Sequence, residues 1–216
     1  MLLFALFKKS MLRRVIPLLI LVSLLPGCAL FEPSDSSLKN FHTVVIDPGH
    51  GGYDSGARAV SGAPEKFLTL DTAQRLKPLL ERKGYHVILT RTSDTFIPLG
   101  LRTAIANAHP NAIFVSIHFN CSPSRAASGI ETYYYSRSSE RLASTLFHEL
   151  SPAHEKHSRG VKQALFFVLH HNGRPATLLE LGFISNRKEN EMIQNPATRQ
   201  QLAEHIATGI ERVKAE

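Results

Sequence analysis

Residues 112–117 read Ala-Ile-Phe-Val-Ser-Ile. Apolar side chains follow one another here instead of alternating with polar ones. Such a run predicts a β-strand covered on both faces, the situation of a parallel sheet with helices on either side. Other short runs fit the same frame. Thr43 to Ile46 (TVVI) is β-branched and stops at the turn signal Asp47-Pro48-Gly49. His86 to Leu89, Gly129 to Tyr135, Ala164 to Leu169 and Ala176 to Leu181 read as further strands. Between them lie helical patterns. Glu65 to Arg82 spaces Phe67, Leu70, Ala73, Leu76, Leu79 and Leu80 on one face, with Pro78 kinking or tightening its last turns and Gly84 ending it. Pro98 to Ala108 begins with a proline suited to a first turn, and Ser138 to Leu150 and Pro196 to Val213 complete the set. Strands and helices largely alternate, so the expected architecture is α/β: a single twisted, mostly parallel sheet flanked by helices, with no internal repeat and no second domain.

The chain has 216 residues, 43% hydrophobic and 20% charged, the composition of a globular protein with a core of useful size. Its formal charge of +7 is concentrated at one end: Lys8, Lys9, Arg13 and Arg14 precede residue 28 and no acid accompanies them. Without that segment 21 basic residues face 18 acidic ones. No basic stripe remains to hold a nucleic acid. The segment itself reads as an address. Arg13-Arg14, the apolar run Val15 to Leu25 and Pro26-Gly27-Cys28 form a secretory signal of lipoprotein type over residues 1–27, too short to span a bilayer comfortably. Leu24-Leu25-Pro26-Gly27-Cys28 resembles a bacterial lipobox, which makes Cys28 the lipidated residue and the membrane a partner through that lipid. Ala29 follows it, where an aspartate marks inner-membrane retention, so a periplasmic domain anchored in the outer membrane is favoured. Because Met1 to Phe7 are apolar and precede the charges, translation is expected to start at Met11. Residues 28–40, rich in Ser, Asp and Pro from Phe31 onward, are expected to be a flexible tether, leaving 41–216 as the folded domain. Cys121 is then left alone, and no disulfide framework is expected.

Three residues with metal or proton chemistry sit at equivalent places. His50 lies just past the first strand, His118 just past AIFVSI, and Glu180 at the end of the last strand. Sites in α/β sheets gather at the carboxyl ends of strands, which makes the three candidate neighbours. Glu65 opens a helix, where a carboxylate is favoured by the helix dipole alone, and by spacing it reads first as a cap.

The motifs VVIDPGHGGYDSGA, Glu65-Lys66, GYHVILTR, LRTAIAN, FVSIHFN and LLELGFISN resemble, in that order, those of the zinc-dependent N-acetylmuramoyl-L-alanine amidases of type 3, from about Thr43 to Val213. The resemblance implies that His50, Glu65 and His118 bind one Zn2+ per chain and that Glu180 is the catalytic glutamate. It further implies a bacterial cell-wall hydrolase, of the kind active in cell division. Its substrate would be peptidoglycan, and the bond cut would be the amide between N-acetylmuramic acid and L-alanine. Two imidazoles and a carboxylate with an open fourth position suit a catalytic zinc. Some cell-division members insert a long inhibitory helix between the positions of Cys121 and Val161. Only one ordinary helix fits there, so no such plug is expected, and the domain is expected to be a monomer.

Asp47 and Asn120 flank the ligands and are candidates for orienting them, against a role in turn chemistry. Arg91 and Arg102 read as structural before substrate-binding. Cys121 reads as packing. Ser36-x-x-Lys39 has the spacing of a penicillin-binding nucleophile but lies in the tether, where nothing rigid aligns it. Two rival functions share these features: a zinc peptidase acting on stem peptides, and a wall-binding lipoprotein without turnover.

Overall fold

The computed structural model describes residues 37–153 and 158–215. The expected signal, the start at Met11, Cys28, most of the tether and Ser36 lie outside the described residues. The elements run α1 (Ser37–Asn40), β1 (Thr43–Pro48), α2 (Glu65–Arg82), β2 (His86–Leu89), α3 (Leu99–Asn107), β3 (Ala112–Asn120), β4 (Ile130–Tyr134), α4 (Arg137–Leu150), β5 (Ser158–Gln163), α5 (Phe167–His170), β6 (Ala176–Phe183), α6 (Arg187–Gln194) and α7 (Pro196–Ala215). The six strands form one sheet in the order β2-β1-β3-β6-β4-β5. β2, β1, β3 and β6 are parallel throughout; β4 runs antiparallel to β6 and parallel to β5. The α/β expectation holds, with this one reversal making the sheet mixed.

The alternation of side chains along each strand separates two faces. Val44, Ile46, Ile113, Val115, Ile117, Leu179 and Leu181 pack beneath α2, α4 and α7, against Leu76, Leu142 and Ile206. The opposite parity (Val45, Phe114, Ala176 and Leu178) meets Ala106, Val168 and Leu169 of the shorter α3 and α5. Continuing that parity toward the strand ends gives Asp47, His118 and Glu180. The short helices do not cover this part of the sheet. It opens into a cavity of about 620 Å³ that these three residues help to line.

Two sequence expectations are corrected and one helix is added. Ala164 to Leu169 is not a strand: β5 lies earlier, at Ser158–Gln163, and the apolar run is a loop leading into α5. Its Leu165, Phe166 and Phe167 are 75%, 41% and 39% exposed, so their apolar character does not mark burial in a sheet. The polar helix α6 is an addition to the sequence reading, because RKENEMIQ holds only two apolar residues, Met192 and Ile193. The end of the tether is ordered: Ser37–Asn40 forms a helical turn against α7, and Leu38 is fully buried beside Phe41.

Leu38→Ala is therefore expected to lower stability by about 2–3 kcal/mol, the low end for a buried leucine in a short flanking element. Denaturant unfolding checks this. An unchanged midpoint would mean that the turn does not belong to the folded unit.

Candidate metal centre

The loop after β1 delivers His50. It is the one non-glycine residue with positive φ (62°) among the described residues, in a turn where Gly51 pairs with Asp54 as a single bridge. Left-handed backbone at a histidine is uncommon and needs surrounding contacts to hold it. Two buried arginines supply them. Arg102 donates to the carbonyls of Pro48 (2.8 Å), His50 (2.7 Å) and Ile97 (2.8 Å) and to Asp47 Oδ1 (2.7 Å). Arg91 donates to the carbonyls of Pro48 (3.0 Å), Gly49 (2.8 Å) and Lys66 (2.8 Å). Arg91 thus joins the His50 turn to the first turn of α2, which carries Glu65. Burial, followed by the neighbouring Arg102 charge, pushes the Arg91 guanidinium below its ordinary range. Both arginines are structural, as the sequence suggested.

Glu65 is 3% exposed and faces both histidines. Its Oε2 lies 3.1 Å from His50 Nε2, and its Oε1 lies 3.0 Å from His118 Nδ1. Each oxygen is also fixed from behind, Oε2 by the Ala57 amide (2.8 Å) and Oε1 by the Phe119 amide (3.1 Å). One ligand atom from each of His50, Glu65 and His118 comes together within 4.8 Å. This is the only such group of three or more His, Cys, Asp or Glu residues among the described residues. Two glycines make the close approach possible. A Cβ at Gly49 would fall 2.2 Å from the His118 ring, and one at Gly56 would fall 2.6 Å from both Glu65 Oε2 and the His50 ring. The donor set of two imidazoles and one carboxylate, open on the cavity side, suits a zinc ion with a free coordination place. The sequence left Glu65 first a helix cap; the fold places it between the two histidines.

Burial alone would raise the Glu65 carboxyl, but the hydrogen bonds and charges of His118 and His50 outweigh it and hold the group far below the usual range. For His50 burial opposes the charged form, yet Glu65 and then Asp54 prevail and raise its pKa above 6.5.

Glu180 stands opposite His118 in the β3–β6 register and opposite Glu131 in the β4–β6 register. Its Oε2 is shut off from solvent and has no hydrogen-bond partner among the described residues. Burial first, then the nearby charges of Glu65 and Glu131, push its carboxyl well above the ordinary value.

The expected orienting residues are placed differently. Asp47 does not touch a ligand ring. It accepts from Thr90 Oγ1 (2.6 Å), Ser116 Oγ (2.8 Å) and Arg102, so it acts on His50 only through the turn that Arg102 holds. Asn120 donates to Glu131 Oε2 (3.0 Å) on β4, two strands away from the strand of His118. The residue that does orient a ligand ring is Asp54, whose Oδ2 lies 2.9 Å from His50 Nδ1. Its signal in the sequence was an acid four residues after the histidine within HGGYD. Cys121 is exposed and lines the cavity mouth, so it is not a packing residue.

Fold and site together define a single-sheet α/β protein with a metal-competent His-Glu-His triad and the half-buried Glu180 carboxyl beside it. Residues 44–212 match the model of the N-acetylmuramoyl-L-alanine amidase family (Amidase_3). The chain belongs to that family. It is 37% identical over 186 residues to a probable cell wall amidase, LytH, of Staphylococcus epidermidis, covering 83% of this chain and 62% of that protein. It therefore spans about three fifths of the length of that relative. It is 32% identical to the N-acetylmuramoyl-L-alanine amidase AmiA of Escherichia coli, covering 83% of this chain and 78% of AmiA. Among solved structures, the catalytic domain of CwlV, an N-acetylmuramoyl-L-alanine amidase from Bacillus (Paenibacillus) polymyxa, superposes with a TM-score of 0.76 at 37% identity, covering 80% of this chain and 97% of that one.

Two outcomes follow for metal binding. Asp54→Ala is expected to weaken zinc affinity by about 10–100-fold with the fold retained, as loss of a ligand's orienting partner does. Competition with a chromophoric chelator measures it, and unaltered affinity would remove Asp54 from the site. Zinc must displace the His50 proton, and the raised His50 pKa keeps that proton in place above pH 6.5. Zinc affinity is therefore expected to start falling above that pH on acidification, as the same titration repeated across pH will show.

Proposed function

We propose that the chain is a zinc-dependent N-acetylmuramoyl-L-alanine amidase. It would hydrolyse the amide between the lactyl group of N-acetylmuramic acid and the first L-alanine of the stem peptide. The observation that carries this reading is the triad and Glu180, whose Oε2 has no hydrogen-bond partner among the described residues, lining one open cavity. His50, Glu65 and His118 would hold the zinc ion, which when bound supplies Lewis acidity toward the amide carbonyl and toward water. The chain's own residues do the remaining work. Glu65 contributes the negative charge among the ligands, with its two oxygens kept in place by the Ala57 and Phe119 amides. Asp54 fixes the His50 ring. Glu180 takes the proton from the attacking water and hands it to the departing alanine nitrogen. A carboxyl raised by burial and by neighbouring negative charge suits both halves of that transfer, since it accepts a proton readily and holds it until the amine leaves. Leu99, Phe166 and Phe167, 52%, 41% and 39% exposed, give the cavity an apolar wall suited to the lactyl and alanyl methyl groups.

The setting is proposed on the sequence pattern: export by the segment 1–27, lipidation at Cys28 and action in the periplasm, with outer-membrane anchoring favoured. Among the described residues no helix is long and apolar enough to cross a membrane.

Glu180→Gln tests the mechanism. Hydrolysis of purified muropeptides is expected to fall by at least ~100-fold, the lower bound for a lost general acid–base group, while bound zinc per chain stays the same. Undiminished turnover would show that another residue moves the proton.

A further inference from the structure

Beyond Glu180 the same side of the sheet continues over β4 and ends at β5. Glu131 is its central group there, 3% exposed and directly across from Glu180. Its Oε1 accepts from Arg159 Nε (2.5 Å) and from Lys162 Nζ (2.9 Å). Its Oε2 accepts from Asn120 and from the Tyr133 hydroxyl. One carboxylate is thus set against two cations, leaving a positive charge in excess. A single cation would suffice to neutralise Glu131.

The surplus is also available. The side chains of Arg159 and Lys162 remain 42% and 41% exposed. Of the five N–H donors of a guanidinium, Arg159 uses the one at Nε among the described residues. Its planar Nη pair has no hydrogen-bond partner among the described residues and has the geometry to meet a carboxylate side by side. Phe183 lies under the guanidinium at 5.2 Å and Tyr133 near the ammonium at 5.8 Å, so each cation rests against an aromatic ring.

Distance selects what could reach them. The cations sit one to two strand steps from Glu180, on the order of 5–10 Å along the sheet. An extended peptide advances about 3.3–3.6 Å per residue, so the second or third residue beyond the scissile bond arrives there. Chemistry selects the side of the bond. The sugars of the proposed substrate are neutral N-acetyl sugars, and the lactyl carboxyl is consumed in the amide itself. Its anionic groups therefore all belong to the stem peptide.

We infer that Arg159 and Lys162 form a subsite for a stem-peptide carboxylate, so that the peptide leaves the metal centre across β6 and β4 toward the β5 edge. This rests on the amidase reading above. Glu131 positions the two cations and does not itself meet substrate.

The test compares two muramoyl-tripeptides, one with free peptide carboxylates and one with all of them amidated, on the wild-type chain and on Lys162→Met and Arg159→Gln. Wild type is expected to favour the free carboxylates in kcat/KM by about tenfold, the worth of one charge-assisted hydrogen bond of about 1.4 kcal/mol. Each variant should lose most of that preference while still cleaving the amidated substrate at nearly the wild-type rate. The comparison of two substrates on one enzyme stands even for a variant that folds poorly. Equal wild-type rates on both substrates, or variants that slow both alike, would overturn the subsite while leaving the amidase reading intact. Cleavage of neither substrate by zinc-loaded wild type would overturn the amidase reading and the subsite with it.

Discussion

Two buried guanidiniums hold the turn at the end of β1, and the metal centre depends on them. Arg102 and Arg91 together take up the carbonyls of Pro48, Gly49, His50 and Lys66. A turn that forces a histidine into left-handed backbone has carbonyls pointing inward with no strand to pair with. An arginine offers several donors in one rigid plane and satisfies these carbonyls as a set. Asp47, 1% exposed, supplies a charge to match Arg102. A buried pair of this kind adds little net stability, but removing one partner strands the other. Its consequence is geometric: His50 from β1 and Glu65 from α2 are held in one piece.

The second element of the site comes from sheet register. His118 on β3 and Glu180 on β6 are direct neighbours because parallel strands place them level, and side-chain alternation sends both to the same face. The reversal of β4 extends that face. Because β4 runs against β6, Glu131 falls beside Glu180, and β5 brings two cations beyond it. The face thus passes from the triad, through a buried carboxyl, to a cationic edge. Over the triad and Glu180 it opens into the cavity that residues of α3 and α5 help to line.

The parallel half of the fold was legible because buried strands such as AIFVSI carry their signature in composition, and His50, His118 and Glu180 follow such runs. Glu65 was ambiguous in physical terms: a carboxylate at a helix start is favoured by the dipole whether or not it binds a metal. The β5–α5 region misled because its apolar residues face a cavity, while the strand itself carries Arg159 and Lys162 turned toward Glu131. Asp47 and Asn120 were singled out by adjacency in sequence. Adjacency along an extended strand does not give contact, whereas Asp54, four residues away across a tight turn, returns to the His50 ring.

The central claim is that the triad and Glu180 together cut the lactyl–alanine amide. Mass spectrometry of the products formed from purified muropeptides, with chelator and again after zinc is restored, tests it most directly. The account predicts free muramoyl glycan and an intact stem peptide, lost with chelator and recovered with zinc. Shortened stem peptides still joined to the glycan, or the same products formed in the presence of chelator, would contradict it.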